Sequence, residues 1–209
     1  MRWTKGTTTM VASSQFLYDT ERSAGIVAWI LLGASVLWGL ALSTKSFRGK
    51  VKPNWMTDLH RFLGGLSLIF VLVHVAAIVS DTYVSKYVTI TPLNALVPFT
   101  GSYHPSMVAW GIVGFYLLLA VELTSLARKK LPKKVWRSVH FLSFPLFATT
   151  TVHALTAPAT DRNVAVWKIL IIATCIAVTA FTFIRVQRAT KQEVSAGPPN
   201  PRLDPVRRG

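Results

Sequence analysis

Apolar residues along this chain gather into five blocks, at about 25–44, 57–80, 106–127, 135–157 and 165–186, with polar connections between them. Each block is about long enough to cross a hydrocarbon layer of ~30 Å at roughly 1.5 Å of helical rise per residue. The pattern predicts an all-α fold: a polytopic transmembrane helical bundle of about five spans occupying residues 25–186. A polar segment, 1–24, precedes it, and a polar, Pro-rich stretch, 187–209, reads as a disordered tail. The first block begins well inside the chain, lacks a clear small-residue cleavage site and ends in Lys and Arg, so a span is expected there and not a signal peptide.

Composition agrees with the pattern. Of 209 residues, 51% are hydrophobic and 15% charged, with a mean hydropathy of +0.42, a balance that puts a membrane bundle ahead of a soluble domain. The single cysteine, Cys175, lies inside the last apolar block, which excludes disulfides and thiolate metal clusters, and no CxxCH stretch is present for covalent haem attachment.

The net charge of +15 would suggest nucleic acid in a soluble protein, but its placement points elsewhere. The connection after the first block carries Lys45, Arg48, Lys50 and Lys52, and the one after the third carries Arg128, Lys129, Lys130, Lys133, Lys134 and Arg137. The tail is basic too, through Arg185, Arg188, Lys191, Arg202, Arg207 and Arg208. The other two connections balance Asp81 against Lys86 and Asp161 against Arg162. Basic and neutral connections therefore alternate, which by the positive-inside rule predicts a multi-pass cell-membrane protein with its N-terminus outside and its C-terminus cytoplasmic. Anionic headgroups of the lipid bilayer, and no nucleic acid, are the expected partners of the basic clusters. The long connection 81–105 is apolar in patches and is expected to pack on the outer face of the bundle.

Within this apolar background two segments open and close on histidine: HRFLGGLSLIFVLVH, 60–74, and HFLSFPLFATTTVH, 140–153. By direction of entry, His60 and His140 lie at the basic, inner level, and His74 and His153 at the neutral, outer level. Helical rise separates the levels by roughly 20 Å. A spacing of 14 residues brings His74 back to within about 40° of His60, and the stripe between them carries Gly64, Ser67 and Val71, small enough to leave space for a flat, wide group. The spacing of 13 leaves His153 about 140° from His140 on an ideal helix, so a distortion at Pro145 is expected to bring both rings toward the second helix.

Two neutral imidazoles facing one another inside lipid suit the two axial positions of a haem iron. Zinc requires three or four ligands at a level, and copper favours thiolate or thioether company, which neither level offers. The competing reading is four polar residues that hold helices together by hydrogen bonds. On the haem reading the inner group lies between His60 and His140 and the outer one between His74 and His153, two stacked haems that conduct electrons across the bilayer. Arg61 beside His60 reads either as a partner for a haem propionate or as a cation snorkelling to headgroups, and Arg137 has the same two readings. Glu122, an acid inside an apolar block, either pairs with a cation such as Arg61 or Arg128 or carries protons, and His104 reads as a surface residue or as part of an acceptor site.

The double histidine spacing, with WMTDLHRFLGG, LVPFTGSYHP and AVELTSLARKKLPKKVWRSVHFLSFPLFATTTVHALTA, resembles the ferric reductase-like transmembrane domain of ferric reductases, NADPH oxidases and small bacterial relatives. The resemblance covers about residues 25–186. It implies two b-type haems ligated by His60, His74, His140 and His153, and electrons delivered from a cytoplasmic flavin and nicotinamide domain. This chain departs from the larger members in having no such FAD/NAD(P)H domain of its own and five expected spans where six are usual. The resemblance thus implies an oxidoreductase component that takes electrons from a separate cytoplasmic flavoprotein or a quinol. Its acceptor outside would be ferric iron, oxygen or an extracytoplasmic partner reductase. The alternative is a non-catalytic, haem-containing membrane anchor or assembly subunit.

Overall fold

A computed structural model describes residues 5–44, 53–81, 91–101, 104–156 and 164–196. All regular structure there is helical: α1 Lys5–Ser43, α2 Pro53–Ser80, α3 Pro92–Leu96, α4 Pro105–Leu126, α5 Lys133–Phe141, α6 Ser143–Thr156 and α7 Val164–Ala196. Prolines explain several of the starts. Pro53, Pro92 and Pro105 each occupy the first helical position, where a missing N–H costs no intrahelical bond. The Thr91 hydroxyl also accepts from the Asn94 N–H at 3.3 Å to cap α3.

Four helices are long and apolar enough to cross a membrane, over Gln15–Ser43, Asn54–Ser80, Pro105–Leu126 and Ala165–Arg188. The fourth apolar block, 135–157, does not form one helix. It is divided into α5 and α6 at Leu142, whose N–H bonds to the Val139 carbonyl at 2.9 Å and tightens the chain out of the α ladder. Pro145 supplies the reason: it has no N–H for the Phe141 carbonyl and its ring crowds that carbonyl, so the helix restarts with Pro145 in its first turn. The distortion expected at Pro145 is therefore a break three residues upstream of it.

Helix boundaries also run past the expected ends. α1 begins at Lys5, within the polar segment 1–24, and α7 continues to Ala196, into the stretch expected to be a disordered tail. Much of the connection 81–105, including 82–90 and 102–103, lies outside the described residues.

α1 is the central helix and packs on α2, α6 and α7. Its buried stripe, Ala24, Ala28, Leu32, Val36 and Leu40, recurs every fourth residue, the spacing that keeps side chains on one face. The α1–α2 and α4–α6 contacts are the most extensive in the bundle. α7 turns Ile169, Ile172, Ile176 and Phe183 outward, with Ile176 64% exposed, a surface suited to hydrocarbon and not to water. The multi-pass membrane architecture follows from these helices together.

Candidate functional site

The break between α5 and α6 has a direct consequence for the histidines. The His60 and His140 rings meet with centroids 6.0 Å apart, and the His74 and His153 rings with centroids 6.4 Å apart. Two imidazoles that share one metal through nitrogens at about 2 Å each place their ring centroids roughly 6 Å apart. Both pairs have that separation. Among the described residues no group of three or more His, Cys, Asp or Glu is placed to hold a metal, so each pair stands without a third side chain of these kinds.

Three of the four rings are fixed by the backbone. The His74 Nδ1 lies 2.6 Å from the Glu21 carbonyl oxygen, the His60 Nδ1 3.0 Å from that of Ser35, and the His153 Nδ1 2.8 Å from that of Met107. A carbonyl only accepts, so in each case Nδ1 is the donor, and in the neutral ring Nε2 keeps its lone pair. The Ser35 hydroxyl adds a contact at 3.2 Å to the His60 Nδ1. His140 differs. Its Nδ1 is buried without a hydrogen-bond partner, and its ring stacks at 5.1 Å on Trp136, which in turn lies under the Arg128 guanidinium at 4.8 Å.

The stripe of small residues on α2 provides only part of the space expected of it: Gly64 borders a cavity, while Ser67 and Val71 are packed. A side chain on Gly64 would meet the Glu122 carboxylate, which already fills that position from α4. Ser67 is fully buried and donates to the Gly64 carbonyl at 2.8 Å. Val71 joins Leu68 and Leu117 against a cluster of Leu32, Leu118 and Leu146. The residues of that cluster fall between the two histidine levels on α1, α2, α4 and α6, so packed hydrocarbon separates the levels.

Open space lies at the basic end, with Gly64 in its wall. A cavity of about 220 Å³ is lined by His60 and His140, by Gly39 and Glu122, and by Arg137 and Arg185. Arg61, the cation singled out beside His60, is exposed and does not line it, although it acts electrostatically on Glu122. Arg185 was not picked out as a site residue in the sequence, because it lies on the last helix, far along the chain from either histidine segment. The same cavity is bordered by Trp136, whose indole Nε1–H is buried without a partner. His104 adopts a left-handed conformation at the start of α4, away from both pairs in sequence.

A family model described as ferric reductase like transmembrane component matches residues 24–151. The match takes in His60, His74 and His140 and stops just short of His153. No curated protein and no solved structure matches the chain.

Proposed function

The chain belongs to the ferric reductase-like transmembrane family, and on that premise we propose that it carries electrons across a membrane through two bis-histidine b-type haems. The observation that carries the proposal is the meeting of the histidines in two pairs at 6.0 and 6.4 Å, which the helix break at Leu142 makes possible. Haem held by these pairs would supply one-electron chemistry.

The chain's own residues then have separate tasks. His60 with His140, and His74 with His153, are the residues that would hold the two haems. The Glu21, Ser35 and Met107 carbonyls orient three of these rings and raise their basicity as ligands. Arg137 and Arg185 border the cavity and would take carboxylates of the bound group, the role the sequence suggested for Arg61 and Arg137. The Trp136 Nε1–H, unpaired in that wall, is a further donor for an acidic group. Leu32, Leu118 and Leu146 exclude water between the levels, so that charge passes as electrons and not as ions.

With the basic connections on the cytoplasmic side, the His60/His140 level receives electrons from a flavoprotein or a quinol and the His74/His153 level delivers them outside. The optical spectrum of the purified chain tests the reading. Two b-type haems per chain with low-spin bis-histidine bands are expected, reducible from the basic side in proteoliposomes. Protein grown with ample haem that shows no Soret band would refute it.

A further inference from the structure

The backbone anchors of the histidines share a sequence device. The three carbonyls belong to Glu21, Ser35 and Met107, and four residues after each comes a glycine: Gly25, Gly39 and Gly111. In a helix the side chain of a residue covers the turn on its N-terminal side, so it hangs over the carbonyl four positions back. A glycine leaves that carbonyl open to a second donor. The structure uses the opening each time. A Cβ on Gly25 would lie 3.0 Å from the His74 Nδ1, one on Gly39 3.0 Å from the His60 Cε1, and one on Gly111 2.9 Å from the His153 Cε1 and Nδ1.

The register makes the repetition more than chance. On α1 the two glycines stand 14 residues apart (39 − 25), the same separation as the histidines they face on α2 (74 − 60). The helices are antiparallel, so Gly39 meets His60 and Gly25 meets His74. On α4 the same counting from Gly111 and His153, carried 13 residues along α4 and 13 back across the break from α6 to α5, makes Thr124 the counterpart of His140 in depth (124 − 111 and 153 − 140). Thr124 is not a glycine, and its hydroxyl donates at 2.7 Å to the Ala120 carbonyl, the group that a ring at this register would need. His140 correspondingly has no partner for Nδ1.

We propose that Gly25, Gly39 and Gly111 are positioning residues that seat His74, His60 and His153 on helix carbonyls in the Nδ1–H tautomer, and that His140, denied a seat by Thr124, is the one adjustable ligand of the four. The proposal rests on the haem reading for the use made of the seats, but the seats themselves belong to the chain alone.

The test follows the rings directly. Full-length chain labelled with ¹⁵N-histidine is placed in lipid nanodiscs without haem, and each ring is assigned by His→Gln replacement. His60, His74 and His153 are expected as Nδ1–H tautomers. Gly39→Ala, Gly25→Ala and Gly111→Ala are each expected to release one ring, His60, His74 and His153 respectively. On titration with ferric haem the same variants bind about tenfold more weakly at the affected site, the loss usual when a support of a metal ligand is removed. Gly65→Ala, with no atom within 4 Å of the added carbon, changes neither readout. Any of the three rings found as the Nε2–H tautomer in the unaltered chain overturns the proposal, as do glycine variants that behave like Gly65→Ala. Should a variant fail to fold, the tautomers of the unaltered chain decide alone. A chain with the expected tautomers that takes up no haem would refute the electron-transfer reading and leave the seats standing.

Discussion

The two histidine levels each bring two imidazoles together at nearly the same ring separation, yet they are built differently. At the neutral end both rings rest on backbone carbonyls, His74 on Glu21 and His153 on Met107, with a glycine behind each. At the basic end His60 is held in that way by Ser35, while His140 sits on the short helix α5 beyond the break, supported by stacking on Trp136. Two backbone anchors restrict a site more than one anchor and a stacked ring, because a stacked ring still slides and turns in its plane. The comparison teaches that one bundle holds a rigid site and a compliant one. The compliant one adjoins the cavity with Arg137 and Arg185, on the side where a donor is expected to act.

The most drastic way to break the comparison is to remove one level. His153→Ala deletes a ring of the rigid pair and leaves His60 and His140 untouched. On the haem reading the content falls from two per chain to one, and the remaining ferric signal in low-temperature electron paramagnetic resonance is that of the basic-end pair. Loss of both haems would instead mean that the levels do not form independently, against the hydrocarbon cluster of Leu32, Leu118 and Leu146 that separates them.

A subtler change acts on the break. Pro145→Ala restores the N–H and removes the ring from the Phe141 carbonyl, so α5 and α6 are expected to fuse into one helix. A continuous helix turns His140 to about 140° from His153, and the basic-end pair is lost while the neutral-end pair persists. Backbone chemical shifts at Leu142, the one residue between the two helices, would register the straightening, and a pyridine haemochrome assay the drop toward one haem per chain. Two haems retained in a straightened helix would show that the break is not what pairs the rings.

How much of this was legible in the sequence depends on the kind of feature. The apolar blocks marked the long helices, since composition over about twenty residues decides whether a segment suits a bilayer. The paired levels could also be read, because helical rise converts the spacings of 60–74 and 140–153 into depth. Pro145 announced a distortion but not its place, as the strain of a proline falls on the carbonyl four residues earlier and the break spreads to Leu142. Of the stripe Gly64, Ser67 and Val71, only Gly64 borders open space, and Glu122 of α4 takes part of the room beside it: what fills the space by a glycine is a property of the neighbouring helix. The carbonyl anchors have no letter of their own. Only the match between the spacing of Gly25 and Gly39 and that of His60 and His74 signals them, and it becomes visible once α1 and α2 are known to pair.

The smallest expected effect would sharpen the comparison without breaking it. Thr124→Gly removes both obstacles to a seat for His140: the side chain over the Ala120 carbonyl and the hydroxyl that now bonds to it at 2.7 Å. The replacement weakens the helix by about 0.5 kcal/mol or less, since glycine is only slightly poorer than threonine in a helix interior. In return the His140 Nδ1–H gains an acceptor, and a hydrogen-bonded imidazole is a more basic axial ligand that favours the ferric state. The basic-end midpoint potential is therefore expected to fall, with the neutral-end potential unchanged, in a redox titration that resolves the two. Thr124→Ser keeps a hydroxyl for the same carbonyl and should leave both potentials where they are. If Thr124→Gly and Thr124→Ser give the same two potentials, His140 is held by Trp136 and Arg128 alone, and the difference between the levels lies in the stack and not in the missing glycine.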